Sequence, residues 1–276
     1  MKPLRALASE FEKVFTTRMW WLIAILLVAY VAFLAGGFGA FLGWTIENPD
    51  LAENAGNNTQ LPPGMQLAPL IYSFASSVGY VFPVLLGALS VTGEFRHKTL
   101  TPTFLAEPHR STVLSAKFVS QLIVGAGLGV VAFATSVGTG AAALAAFGLD
   151  TELDTSDTWA LIGRGVLAMA MWATIGVGLG TLVTNQVAAI VIVIAFTQFV
   201  EPILRLAASL NDVTAQIGQF LPGAASDALV GASFYSIAAV GSSVTLEWWQ
   251  GGLVLLVIGA VATVIGGATT WRRDVT

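Results

Sequence analysis

The stretch GEFRHKTLTPTFLAEPHRSTVLSAK, Gly93 to Lys117, is basic, can form helix, and lies between two long apolar runs. A bilayer core about 30 Å thick needs roughly 20 apolar residues at about 1.5 Å rise each. Pro69 to Val91 upstream and Phe118 to Ala142 downstream both meet that requirement, as do Trp20 to Leu42, Trp159 to Val183, Val187 to Leu206 and Trp249 to Thr270. The expected fold is therefore all-α: one polytopic domain, residues 1-276, with six transmembrane helices. The apolar run after Ser111 continues to Phe147, about 52 Å if helical throughout, so the third helix either tilts or projects beyond the lipid.

Composition agrees. Hydrophobic residues make up 55% of the 276 residues, charged residues 10%, and mean hydropathy is +0.79, values that exclude an ordinary soluble domain. Cysteine is absent, which removes disulfides, thiolate nucleophiles and cysteine metal sites.

The net charge of −4 hides a sorting along the chain. Lys2, Arg5, Lys13 and Arg18 precede the first span, Arg96, Lys98, Arg110 and Lys117 follow the second, and Arg272 and Arg273 follow the last. With alternating spans all of these fall on one side. Acidic residues such as Glu47, Asp50, Asp150, Asp154, Asp212 and Asp227 fall on the other. Basic loops are retained in the cytoplasm, so both termini are expected there, in a bacterial cytoplasmic membrane. Nucleic acid is not an expected partner; the lipid bilayer is.

Ahead of the first span, Leu4, Leu7, Ala8, Phe11, Val14 and Phe15 recur at helical spacing, with Arg5, Ser9, Glu12, Lys13 and Thr16 on the other faces. This predicts an interfacial helix over residues 1-19, with Trp20 and Trp21 at headgroup level. The basic start is too long and the apolar run too extended for a cleaved signal, so the first span is read as retained. Glu47 to Gly64 has the composition of an exposed loop, and its Asn57-Asn58-Thr59 pattern is too short to carry weight. Between the fifth and sixth spans, residues 207-248 are divided by Pro222, Gly223, Gly231 and Gly241 into short apolar pieces, predicting a helical hairpin on the outer side.

Small residues four apart, Gly125 and Gly129, Gly176 and Gly180, and Gly259, Thr263 and Gly267, predict close helix packing in lipid. The glycine runs do not follow strands, and no lysine-serine or lysine-threonine pair closes a phosphate loop, so the chain shows no means of binding ATP.

Within the basic stretch, Leu100, Phe104 and Leu105 stand at helical spacing, Pro102 occupies the opening turn and Pro108 interrupts. His97 and His109, among lysines and arginines with only Glu94 and Glu107 nearby, make a poor metal site, and none is expected. Glu94, Thr99, Leu105, Pro108, Arg110 and Lys117 together resemble the loop between the second and third spans of type 2 ATP-binding-cassette transporter permeases. Lys98 stands where that family often carries glycine, which puts the local turn in question. SEFEKVFTTRMWW (Ser9 to Trp21) resembles the family's elbow helix, FLPGAASDAL (Phe220 to Leu229) its outer hairpin, and WRRDVT (Trp271 to Thr276) its C-terminal ending.

That resemblance implies the membrane subunit of an exporter of drugs, antibiotics, peptides or lipids. It implies two copies of a separate ATPase that holds ATP and magnesium, and a second permease chain, identical or not. This chain would carry no cofactor and no catalytic residue. Residues 93-112 would form the coupling segment, with Glu94, Arg96, His97, Lys98 and Arg110 as polar contacts to the ATPase and Leu100, Phe104 and Leu105 as buried anchors. The second and fifth spans line the family's central interface, which makes Ser73, Ser76, Ser77 and Tyr80, and Thr197, Gln198, Glu201 and Arg205, candidate pathway residues. Packing serines and an i,i+4 Glu201–Arg205 pair are the structural alternative. Arg164 either pairs with Asp157 or snorkels outward.

Two competitors stand. An ion-coupled secondary transporter often shows internal repeats and buried ionisable groups, neither of which is convincing here. An intramembrane enzyme would need a histidine-glutamate zinc pattern or a serine-lysine dyad in a span, and neither is present.

Overall fold

The computed structural model describes residues 3–50, 66–208, 210–233 and 246–271. The Asn57-Asn58-Thr59 pattern, Gly241, Arg272 and Arg273 lie outside them. The described residues are helical, with no strand among them. Six helices are long and apolar enough to cross a membrane, which makes this a multi-pass membrane protein: Met19–Glu47, Leu67–Arg96, Arg110–Ala146, Ser156–Leu182, Gln186–Ala208 and Trp248–Thr269.

An amphipathic helix α1 (Pro3–Thr16) precedes the first span, α2 (Met19–Glu47). The second span is broken into α3 (Leu67–Tyr72), α4 (Phe74–Ser77) and α5 (Val81–Arg96), where the sequence suggested one continuous helix. Proline explains the second break. Pro83 cannot donate to the Gly79 carbonyl, and Phe82 N–H takes that acceptor at 3.2 Å. Next come the short α6 (Leu100–Ala106), the third span α7 (Arg110–Ala146) and the fourth span α8 (Ser156–Leu182). The 37 residues of α7 extend about 55 Å, well beyond a hydrocarbon core.

The fifth span is α9 (Gln186–Ala195), a π turn over Phe196–Val200 and α10 (Glu201–Ala208). Pro202, which has no N–H for the ladder, accounts for the widened turn. Two short helices, α11 (Asp212–Gly218) and α12 (Pro222–Val230), precede the last span, α13 (Trp248–Thr269).

The fourth span forms the centre, flanked by the second, third and sixth. A Cβ on Gly176 would collide with the Val84 carbonyl, and one on Gly129 would lie 3.0 Å from Val166 Cα, so these backbones touch. Gly125, Gly180 and Gly259 face neighbouring helices in the same way. The first and fifth spans sit at the periphery, with only a minority of their side chains buried.

Candidate functional site

At the end of the bundle that carries Lys13, Arg96, Arg110 and Lys117, α1 lies against the start of α7. The buried residues of α1 are Ala6, Glu10 and Val14, of which only Val14 belongs to the apolar stripe read from the sequence. Leu4 is 78% exposed and Phe15 52%, leaving part of the apolar stripe on the outside of the chain. One helix thus presents a polar-centred face to the protein and hydrocarbon outward.

Glu10 on that inner face begins a buried charge network. Its Oε2 lies 2.5 Å from Lys117 Nζ on α7, and its Oε1 2.6 Å from Lys13 Nζ. Both ammoniums also donate to Glu94 Oε1 on α5, Lys13 at 2.8 Å and Lys117 at 3.2 Å. Lys13 further reaches Thr103 Oγ1 on α6 (3.4 Å), and Lys117 the Ser90 carbonyl (3.2 Å). Burial would raise the Glu10 carboxyl's pKa, yet Lys117 and Lys13 outweigh it and hold the group below its ordinary value. For Lys13, burial pulls downward and Glu94 and Glu10 more than compensate, leaving it above the usual lysine value.

A second clamp holds α6 from the opposite flank. Phe95 and Phe104 pack edge-on to Trp271 at 5.9 and 5.6 Å, and Arg110 Nη1 donates to the Trp271 carbonyl at 2.6 Å. Arg110 also lies 4.9 Å above the Phe104 ring. The short helix is therefore fixed to α1 through Lys13 and to the end of the last span through Trp271.

This arrangement redistributes the expected contact residues. Leu100 is fully buried among Val91, Val113, Leu114, Val177 and Trp271, and Glu94 is buried with its Oε1 held by the two lysines. Phe104 and Arg110 are half-buried against Trp271. Arg96, His97, Lys98 and Leu105 remain exposed, Leu105 at 81%, and Arg96 donates to Gln186 Oε1 at 3.1 Å. Lys98 has φ 55°, the left-handed conformation that suits glycine, so the turn keeps that shape despite the side chain. His109 pairs with Glu107 at 2.9 Å.

A second polar group lies toward the other end of the fifth span. Glu201, 1% exposed, accepts from Gly223 N–H at the start of α12 and lies 3.6 Å from Arg205 Nε. Arg205 Nη1 in turn donates to Asp227 Oδ2 on α12 at 2.7 Å, and Ser233 donates to the same oxygen at 2.5 Å. The expected i,i+4 pair is thus one side of a larger network.

Thr197 is buried on the same side. Gln198 is exposed, a correction to the single face read from the sequence, because the π turn advances fewer degrees per residue and swings it outward. Tyr80 donates to the Thr197 carbonyl (3.1 Å) and stacks on Trp172 (4.3 Å), whose Nε1 donates to Ser226 at 3.0 Å. Ser73 and Ser76 donate to carbonyls of their own span, at Leu70 and Ser73. Ser77 is buried in the same span. Arg164 settles 5.0 Å above the Trp248 ring.

The sequence reading did not place Glu10, Asp227 or Trp271 among the candidate site residues. A carboxylate inside the apolar run of α12 was a signal for Asp227. Glu10 resembled any solvated residue of an interfacial helix. No protein-family model matches the chain, and no curated protein is significantly similar to it in sequence.

Proposed function

We propose that this chain is the membrane-spanning subunit of a type 2 ATP-binding-cassette exporter. In this reading it works as a dimer with two ATPase subunits and moves an amphipathic or hydrophobic compound out of the cell by alternating access. The basic end then faces the cytoplasm, as the distribution of lysine and arginine favours.

The observation that supports this best is the short helix α6. Its inner face is clamped to α1 and Trp271, while Leu105 and the neighbouring Arg96, His97 and Lys98 are left outside. A helix held on both flanks and bare on its outer side suits a lever: a push on Leu105 is transmitted to the first, second and last spans without first being absorbed by a soft loop. An exposed apolar residue that a docked partner would desolvate is also where interface energy concentrates.

Co-purification with a co-expressed candidate ATPase subunit tests the reading. Leu105→Asp changes an exposed residue, so the chain should fold and lose the ATPase. Retention of normal binding and normal transport by that variant would refute the assignment.

The buried Glu201, Arg205 and Asp227 network favours the second reading, an ion-coupled transporter, since ionisable groups inside a bundle often mark ion pathways. Transport by the purified chain alone, driven by a proton or sodium gradient, would select it.

A further inference from the structure

The buried charges at the two ends of the bundle add up differently. Glu10 and Glu94 balance Lys13 and Lys117, whereas Glu201 and Asp227 face a single guanidinium, Arg205, and carry one surplus negative charge if both are ionised. The other side chains around them are neutral: Tyr80 from α5, Trp172 from α8, Thr197 from the π turn, and Ser226 and Ser233 from α12 and its end. Arg164 of α8 sits beside Gly231 over the Trp248 ring and, among the described residues, forms no ion pair with either carboxylate. Residues 234–245, which lead from α12 toward α13, contain no lysine, arginine or histidine.

The two carboxylates are not equally supported. Asp227 Oδ2 accepts from Arg205 Nη1 at 2.7 Å and from the Ser233 hydroxyl at 2.5 Å, and its side chain is 15% exposed. Glu201 is 2% exposed, and both of its neighbours stand at Oε1: the Gly223 N–H, and Arg205 Nε at 3.6 Å, beyond hydrogen-bond range. Its Oε2 is buried with no hydrogen-bond partner. Desolvating an ionised carboxylate costs far more than desolvating a hydroxyl without a bond, so a group this weakly held takes up a proton and becomes neutral. The site suits a proton rather than a metal ion. Oε2 is closed to solvent, and a Cβ on Gly223 would already collide with Glu201 Oε1 and Arg205 Nη2, which leaves no room for a coordination shell at the carboxylate head.

We infer that the cluster of Glu201, Arg205 and Asp227 binds one proton, carried on Glu201 Oε2, and that this proton latches α12 to the fifth span. With Glu201 neutral, Arg205 and Asp227 balance each other, and Oε1 still accepts from the Gly223 N–H. Loss of the proton to water places a second uncompensated carboxylate beside Asp227 in a dry site and drives α12 away from α10. The latch holds whether ATP or an ion gradient drives the chain, so it stands apart from both functional readings.

Infrared difference spectroscopy of the full chain in nanodiscs, wild type minus Glu201→Gln, tests the site. Glutamine has the shape of the neutral acid, so the variant should fold. At about pH 7, where an exposed glutamate is ionised, the difference should contain the C=O band of a carboxylic acid. Its absence would overturn the inference. Exchanging potassium for sodium at constant pH should leave the band unchanged, and its loss in sodium would overturn the inference in favour of a metal cation.

Stability supplies a second readout. The folded chain keeps a proton that an unfolded glutamate releases above about pH 4.3, so stability falls as pH rises. Relative to Glu201→Gln, the wild-type folding equilibrium should weaken about tenfold per pH unit above that point, until Glu201 ionises in the folded chain. Melting temperatures of the two proteins across this range measure the difference, and a gap between them that does not change with pH would overturn the inference.

Discussion

Lys117 Nζ and Glu10 Oε2 are 2.5 Å apart across 107 residues of sequence, and both side chains are almost completely buried. Breaking one half of such a pair leaves an uncompensated charge in a dry site, which typically costs about 3–5 kcal/mol. Lys117→Met should therefore destabilise the chain strongly. The double variant Glu10→Gln with Lys117→Met should recover part of the loss, since the orphaned charge is gone. Thermal unfolding of the four proteins in nanodiscs measures the coupling, and strictly additive losses would mean that the contact carries no energy.

The same pair sets a pH dependence. Glu10 is held below its ordinary value of 4.5, chiefly by Lys117 and then Lys13 against the opposing effect of burial, so its contribution to stability is complete above about pH 4.5. It is lost as pH falls through the lower folded value. Lys13, raised above 10.5, contributes fully below that pH and loses its contribution as pH climbs through the folded value. The hydrogen-exchange protection factors of α1, corrected for the intrinsic pH dependence of exchange, should be flat between these limits and fall on both sides. In Glu10→Gln the acid limb should shrink.

Trp271 packs against Phe95 and Phe104 and is 2% exposed. Trp271→Ala should cost about 3–5 kcal/mol as a truncation of a buried aromatic side chain. Its effect on hydrogen exchange should be greatest in α6 and the end of α5, not spread evenly over the bundle. Uniform acceleration would show that Trp271 does not hold α6 in particular.

Lys98 pays for a left-handed backbone, a conformation that costs a residue with a Cβ roughly 1–2 kcal/mol. Lys98→Gly should relieve this and, after glycine's greater entropy loss, raise stability by about 0.5–1 kcal/mol. A lower melting temperature would contradict the prediction.

Glycines separate by what they face. Gly176→Ala drives a Cβ into the Val84 carbonyl and should cost about 1–3 kcal/mol, whereas Gly127 has nothing within 4 Å and Gly127→Ala should be neutral or slightly stabilising. Melting temperatures of the two variants decide this.

The spans and the amphipathic helix ahead of them were legible because length, hydropathy and periodicity are local properties. Gly176 and Gly180 could be read as packing positions for the same reason. The breaks in the second and fifth spans were harder: Pro83 and Pro202 were visible, but lipid-embedded helices tolerate proline, so its presence alone did not locate a break. The site was less legible. Leu100, Phe104 and Leu105 share helical spacing, and only tertiary packing of Trp271 decides that Leu100 turns inward while Leu105 stays out. Glu10 and Glu94 meet through Lys13 and Lys117, a convergence of three segments that no local pattern encodes.

The most direct test of the account is transport by the chain in sealed vesicles, with and without the ATPase subunit proposed for it. The account predicts solute movement only when the partner and ATP are both present, and none under a proton or sodium gradient alone. Uphill movement by the chain by itself, driven by an ion gradient, would contradict it.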